Sequence, residues 1–199
     1  TFVNSVGFSI VIPIAPFIVE EFGGGPFMYG LTLSAYSICQ YIAAPFLGSF
    51  SDKLGRKRLL LLSQIGTILS WCILALSIHS PMYRIFGITL PLLLLITARI
   101  VDGLTGGDVS IANAYVADVT RPEERTKTYG YVSAVYGLGF MMGPLLGSYS
   151  SNFGLGYMGT VIIALIISFT TLYTILFHLS EPKKIVRYDQ NNKSYKDEF

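Results

Sequence analysis

Six runs of mostly apolar residues, separated by short polar segments, dominate the chain. A helix that spans a bilayer needs roughly 20 such residues. The six runs are Phe2–Val19, Met28–Phe50, Leu59–His79, Ile88–Ser110 with a polar-tipped extension to Asp118, Lys127–Tyr149, and Met158–Leu179. Because backbone groups in lipid must be satisfied within the chain, these runs predict six membrane-spanning helices.

Composition and charge agree with a multi-pass membrane protein. The 199 residues are 52% hydrophobic and 13% charged, whereas soluble domains carry about 25% charged residues. We therefore expect a membrane protein that is not an enzyme and uses no cofactor. Cys39 and Cys72 lie inside apolar runs and indicate neither a disulfide nor a metal site. The basic residues cluster in loops, so we expect no nucleic-acid partner.

The distribution of basic residues predicts the orientation of the chain. Of the 14 Lys and Arg residues, 12 lie after the second run, after the fourth run or in the tail. Cytoplasmic loops carry such an excess, so both ends are expected in the cytoplasm. Residues 1–180 would form the transmembrane bundle. Residues 181–199 would be a cytoplasmic tail or the start of a linker between bundles.

A segment in the first half of the chain recurs in the second half. Pro45–Gly55 matches Pro144–Gly154 at six of eleven positions. The first copy ends the second run, on the cytoplasmic side, and the second copy ends the fifth run, on the outer side. This predicts an all-α membrane protein, a six-transmembrane-helix bundle built of two inverted three-helix repeats.

Several short motifs follow one another in a definite order. They are Gly48-x-x-x-Asp52-Lys53-x-Gly55-Arg56-Lys57, Arg99-x-x-x-Gly103-x-x-Gly106-Gly107, Gly139-x-x-x-Gly143-Pro144-x-x-Gly147, and Ala114–Thr120 followed by Glu124-Arg125. This series resembles the major facilitator superfamily, and within it the tetracycline-efflux-like drug/proton antiporters. That family normally has twelve spans, so the resemblance implies that this chain is an N-terminal six-helix half.

The resemblance implies a gate at the cytoplasmic side, formed by Gly48, Asp52, Gly55, Arg56, Lys57 and Asp118. Asp52 would dock on the positive N-terminus of a facing helix, and Arg56 would pair with Asp118 as a latch. Gly48 and Gly55 would permit close approach and a tight turn. The alternative is an ordinary positive loop in which Gly55 ends a helix.

The fourth run holds three charged residues, Arg99, Asp102 and Asp108. An unpaired charge at mid-membrane costs at least about 2.5–3.5 kcal/mol, so each needs a partner or a watery cavity. Arg99 and Asp102 are three residues apart and can touch. We expect Arg99 and Asp102 to form a protonation-sensitive pair, or else a static pair that fixes packing, with Asp108 as the third candidate for proton coupling. In one continuous helix Asp108 would lie about 180° around from Arg99 and about 10 Å nearer the cytoplasm than Asp102.

Glycines in two runs predict close helix contacts. Gly139, Gly143 and Gly147 form one stripe, and Pro144 should bend that helix. Gly103 and Gly107 offer a smaller seam. These positions would serve as a hinge, or only as packing. The polar and aromatic residues expected to line a substrate cavity, unless they only bond helix to helix, are Asn4, Tyr36, Gln40, Asn113 and Tyr136.

These features favour a secondary active transporter that works by alternating access, with proton-coupled export as the leading hypothesis. The chain has no Walker-type nucleotide loop, so transport would be ion-driven. An importer of the same family and a non-transporting structural or regulatory subunit stay open. The expected partners are a small organic solute, protons, the lipid bilayer and a second six-helix half, from the same gene, a partner chain or a second copy. The plasma membrane or a bacterial inner membrane is the expected location.

Overall fold

The computed structural model describes residues 2–85, 87–151 and 156–181, apart from the side chains of Val3, Asn4, Asp108 and Ser151. The expectations for the Asn4 and Asp108 side chains and for the tail from residue 182 onwards therefore lie outside the described residues. The described helices are α1 Phe2–Val11, α2 Ala15–Glu21, α3 Pro26–Leu54, α4 Arg56–His79, α5 Leu90–Thr105, α6 Asp108–Val119, α7 Arg125–Ser151 and α8 Tyr157–His178. Strands β1 Arg84–Ile85 and β2 Ile88–Thr89 form a hairpin, and Pro122–Glu124 form one 3₁₀ turn.

The helices follow the six predicted runs, with ends that differ by a few residues. Among the described residues, three segments are both long and apolar enough to cross a membrane: α4, the α5–α6 pair and α8. Helices α3 and α7 are also long, at 29 and 27 residues, but they are less apolar. Glycine, serine and tyrosine lower the hydropathy of those two helices. The first and fourth runs each form two helices instead of one.

The first run is interrupted between Val11 and Ala15. Pro13 lies in this interruption, and Pro16 occupies the first turn of α2. Proline lacks the backbone N–H that a helix interior requires, and its ring clashes with the carbonyl four residues earlier. Pro13 therefore accounts for the division of the first run into α1 and α2.

The fourth run is interrupted at Gly106 and Gly107, so its prediction as one continuous helix was wrong. Gly106 has ψ 32° and Gly107 has ψ 0°, both outside the helical range. The Gln40 side-chain amide donates to the Gly106 carbonyl at 3.0 Å and satisfies part of the freed backbone. The 180° separation of Arg99 and Asp108, which was counted along one helix, therefore does not apply.

The packing of the helices follows the repeat. The first helix of each repeat packs on the second helix of the other, α1 on α7 and α5 on α3. The third helices, α4 and α8, also pack on each other. The core between these elements is apolar and includes Ile10, Ile18, Trp71, Leu74, Leu95 and Val161. The contacts made by the first repeat are therefore matched by equivalent contacts made by the second repeat.

The predicted glycine stripe of α7 packs directly on the backbone of α1. A Cβ atom added at Gly143 would overlap the Ser9 side chain and lie 2.7 Å from the Ile10 nitrogen. One added at Gly147 would lie 2.8 Å from the Ile10 carbonyl oxygen. On the other pair, a Cβ at Gly103 would lie 2.5 Å from the Tyr36 carbonyl oxygen. Because glycine has no side chain at these positions, α7 can approach α1 closely and α5 can approach α3 closely.

We expect Gly143→Ala to lower the free energy of unfolding by about 1–3 kcal/mol, because a methyl group there forces α7 away from α1. Gly137→Ala on the same helix is the matched control, since a Cβ there meets no described atom within 4 Å. Better helix propensity should leave that variant unchanged or up to about 1 kcal/mol more stable. Unfolding of the full-length protein in mixed detergent micelles measures both, and equal losses would contradict the packing described.

Candidate functional site

Arg56 is the first residue of α4 and connects three helices. Although charged, it is only 8% exposed. Its Nε donates to Asp118 Oδ2 of α6 at 2.9 Å, and its Nη2 donates to Asp52 Oδ1 of α3 at 2.5 Å. Its Nη1 donates to the Ser51 hydroxyl. We call these four residues the Arg56 cluster. The guanidinium is thus neutralised by carboxylates from two helices.

The structure brings some of the expected gate residues together and leaves others apart. Arg56 lies beside Asp118, as the motif resemblance implied. The Asp52 carboxylate bonds Arg56 and meets no helix N-terminus among the described elements. Lys57 instead donates from Nζ to the Leu176 carbonyl at 2.8 Å, near the end of α8. A Cβ at Gly48 would meet no described atom within 4 Å, so the described residues make no close approach there.

Arg99 and Asp102 form a buried ion pair on α5. Arg99 Nη1 lies 3.5 Å from Asp102 Oδ2, and the Arg99 and Asp102 side chains are 4% and 13% exposed. Short bidentate contacts are the strong form of an arginine–carboxylate pair, and this contact is long and single. The pair can therefore separate more readily than a bidentate one.

The rest of the Arg99 guanidinium has neutral neighbours. Its central carbon lies 5.5 Å from the centroid of the Trp71 ring, a cation–π distance, and Nη2 lies 3.5 Å from the Ser70 hydroxyl. Among the described residues, the buried Nε has no hydrogen-bond partner. Arg99 is thus held by one acid, one aromatic face and a distant hydroxyl.

Arg99 lies at one side of a cavity of about 20 Å³ between α1, α3 and α5. Phe8, Thr32 and Tyr36 also line it, and the Phe8 and Tyr36 ring centroids are 5.2 Å apart. A second cavity, of about 310 Å³, lies beyond the break in the first run and includes Glu20 and Tyr29. The cavity beside Arg99 has about the volume of one water molecule, so the helices must move apart before an organic solute can enter it.

The other residues expected in the cavity have different neighbours. Gln40 donates to the Tyr36 hydroxyl and the Gly106 carbonyl, both at 3.0 Å, so its amide bonds one helix to another. The Asn113 carbonyl accepts from the Tyr129 hydroxyl at 3.1 Å. Tyr136 is half-buried on α7. Of the described candidates, Tyr36 alone is a lining residue of the small cavity.

Three residues in these clusters escaped prediction from the sequence. Phe8 and Trp71 sit among many apolar residues and carry no local signal. Trp71 is, however, the single tryptophan of the chain and lies in an apolar run. Glu181 follows the last run, and its carboxylate accepts the backbone N–H groups of Arg56 and Lys57 at 2.5 and 3.2 Å. Its partners are too distant in sequence for any spacing rule to find.

The described residues offer charge pairing and hydrogen bonding and no metal chemistry. Within residues 2–85, 87–151 and 156–181, no group of three or more His, Cys, Asp and Glu residues could hold a metal ion. The arrangement pairs a buried carboxyl group with Arg99 and ties helix ends together through Arg56.

We expect a double-mutant cycle on Arg56→Gln and Asp118→Asn to give a coupling free energy of about 1–2 kcal/mol in unfolding of the full-length protein. The pair is largely shielded from water, so each single change leaves a partly buried charge behind. Arg58→Gln on exposed α4 surface, cycled with Asp118→Asn, is the control and should be additive. If the two changes in the Arg56 cycle are additive, the Arg56–Asp118 ion pair contributes no coupling free energy to folding, which would contradict the prediction.

Comparison with known proteins agrees with this architecture. A family model described as Major Facilitator Superfamily matches residues 1–193. The crystal structure of the human organic anion transporter MFSD10 superposes with a TM-score of 0.73 at 24% identity, covering 91% of this chain and 45% of that chain. At that identity the likeness shows the fold alone, and it confirms the predicted fold class.

Two relatives show sequence similarity along most of the chain. The tetracycline resistance protein of class B from Escherichia coli is 30% identical over 186 residues, 92% of this chain and 43% of the relative. Multidrug resistance protein 2 of Bacillus subtilis is 32% identical over 182 residues, 90% of this chain and 42% of the relative. The chain thus spans less than half the length of these relatives, and neither relative is named as an enzyme. The protein is an integral membrane protein that belongs to the major facilitator superfamily.

Proposed function

We propose that the chain is one half of a secondary active transporter that exports a small organic solute in exchange for protons. The Arg99–Asp102 pair is the observation that supports this most strongly. It is a buried, long and single ion pair at the edge of a cavity lined by Phe8 and Tyr36. Ionisable residues at membrane depth that face a cavity commonly mark ion pathways.

Proton coupling would follow from the weakness of this pair. When Asp102 takes up a proton, its attraction to Arg99 falls and the guanidinium is left with the Trp71 face and the Ser70 hydroxyl. The Arg99 cation then faces the cavity without the negative charge of Asp102 beside it. Helix α5 would move relative to its neighbours, because the buried charge needs new partners or water. A proton would in this way shift the balance between two bundle conformations.

The Arg56 cluster would hold the cytoplasmic side closed. It joins α3, α4 and α6 through one guanidinium, and it adjoins the basic residues Lys53, Lys57 and Arg58, an excess expected on the cytoplasmic side. Breaking the Arg56–Asp118 contact would free α6 from α4. The break at Gly106 and Gly107 lies between this cluster and Arg99, so α6 can tilt without disturbing α5.

A second six-helix bundle would complete the transport path. Large apolar side chains are exposed along α3 and α7, namely Leu31, Ile38, Ile42, Phe46, Leu138, Met141, Leu145 and Tyr149. The chain covers less than half of its relatives, which are named for resistance to tetracycline and to multiple drugs, and we infer an organic solute from these names. Rocking of two such halves about a site at the midplane is how inverted-repeat transporters work.

We expect Asp102→Asn to abolish solute accumulation driven by a pH gradient in proteoliposomes of the full-length protein. Asparagine keeps the size and hydrogen-bonding capacity of the side chain but cannot exchange a proton. Counterflow of solute, which needs no gradient, should persist within about threefold. Glu124→Gln changes an exposed carboxyl group and is the matched control.

Accumulation by the Asp102→Asn protein at the wild-type rate would refute the coupling role of this residue. Uptake together with protons, rather than in exchange for them, would identify an importer. Absence of any solute movement by the wild-type protein would favour a non-transporting subunit.

A further inference from the structure

The start of α4 lacks the groups that normally stabilise a helix N-terminus. Its N-cap residue is Gly55, which has no side chain to accept a hydrogen bond from the first turn. The first turn carries Arg56, Lys57 and Arg58 and no acidic residue. Positive side chains at this end oppose the positive end of the helix dipole. Positive charge is nevertheless required there if the loop is to stay in the cytoplasm.

Glu181 supplies the missing carboxylate from the other end of the chain. Its Oε1 accepts the Arg56 N–H at 2.5 Å, and its Oε2 accepts the Lys57 N–H at 3.2 Å. Both N–H groups belong to the unpaired set that every helix start leaves free. A side chain 125 residues away thus does the work of a local cap.

Gly55 is the residue that makes room for this contact. It has φ +99°, a conformation that other residues rarely adopt, and a Cβ there would lie 2.7 Å from Glu181 Oε1. A side chain at position 55 would therefore displace the carboxylate. The glycine of the loop motif is explained by the approach of Glu181 as well as by the turn between α3 and α4.

Two further hydrogen bonds attach the end of α8 and the residues after it to α4 and α6. Lys57 Nζ donates to the Leu176 carbonyl at 2.8 Å, and the Tyr115 hydroxyl donates to the Ser180 carbonyl at 3.1 Å. Tyr115 lies on α6, the helix that carries Asp118. The segment that follows α8 is therefore attached to both helices that the Arg56–Asp118 contact joins.

We propose that Glu181 is a positioning residue of the gate: by capping α4 it holds Arg56 where its guanidinium reaches Asp118, and it couples the segment after α8 to the closed state. Arg56 is then fixed at its backbone by Glu181 and at its side chain by Asp52 and Asp118. Opening of the latch and release of the segment after α8 become linked events. The part of this proposal that concerns gating rests on the proposed transport function.

The test is a distance measurement between spin labels at Arg58→Cys and Ser180→Cys in the full-length protein, with Cys39 and Cys72 replaced by serine. The parent should give one narrow distance distribution. Loss of a helix cap changes such an equilibrium about fivefold, so Glu181→Ala should raise the separated population by about that factor. Glu181→Asp should restore most of the narrow distribution. Glu124→Ala, which removes another exposed carboxylate, should leave it unchanged.

An unchanged distribution in Glu181→Ala, or an equal broadening in Glu124→Ala, would overturn the proposal. If Glu181→Ala does not fold, Glu181→Gln keeps the size but loses the charge and should give a separated population about twofold above the parent; no rise would overturn the proposal equally. Transport is a second readout, in which Glu181→Ala should lower the maximal rate about fivefold with the solute KM unchanged. A protein that never transports solute refutes the proposed function, whereas the spin-label distances still decide the role of Glu181.

Discussion

Close contact between glycines of one repeat and the backbone of the other is the constraint on which the rest of the bundle depends. Gly143 and Gly147 bring α7 against the backbone of α1, and Gly103 brings α5 against α3. In lipid, where apolar side chains gain little by leaving their surroundings, such contacts and interhelical hydrogen bonds are the main source of association. The two pairs are equivalent under the inverted repeat, so one packing solution is used twice.

These contacts also determine where charge can be placed. With α3 held close to α5, the Arg99 and Asp102 side chains are buried, and Arg99 lines the small cavity. Arg56, at the helix ends, has two carboxylates and a hydroxyl around one guanidinium. Arg99 has one distant carboxylate. The better-satisfied arginine suits a latch, and the poorly satisfied one suits a group that responds to a proton.

Much of the fold could be predicted from the sequence because helix formation in lipid depends on local composition. Six apolar runs predicted the helices, and the repeated segment predicted the symmetry. The break at Gly106 and Gly107 was missed because the run stays apolar across it, and glycines alone do not show whether a neighbour such as Gln40 will satisfy the opened backbone.

Prediction of the site was less complete, because ion pairs and caps depend on tertiary contacts. Arg99 and Asp102 are neighbours on one helix, so their spacing predicted their contact. The Arg56–Asp118 contact came only from the motif resemblance. Glu181 lies 125 residues from Arg56, in a polar segment where a carboxylate is common and does not indicate a special role. The sequence does show that the first turn of α4 has neither a capping side chain nor an acidic residue. It does not show which distant residue supplies the missing carboxylate.

In the proposed transport cycle, the cavity beside Arg99 opens to one side of the membrane at a time. The most direct measurement is the reaction of Tyr36→Cys with a membrane-impermeant thiol reagent, applied from each side of oriented proteoliposomes containing the full-length protein with Cys39 and Cys72 replaced by serine. If the proposed cycle is correct, the side from which the Tyr36→Cys protein reacts changes when the pH gradient is reversed. Reaction from the same side under both gradients would contradict it.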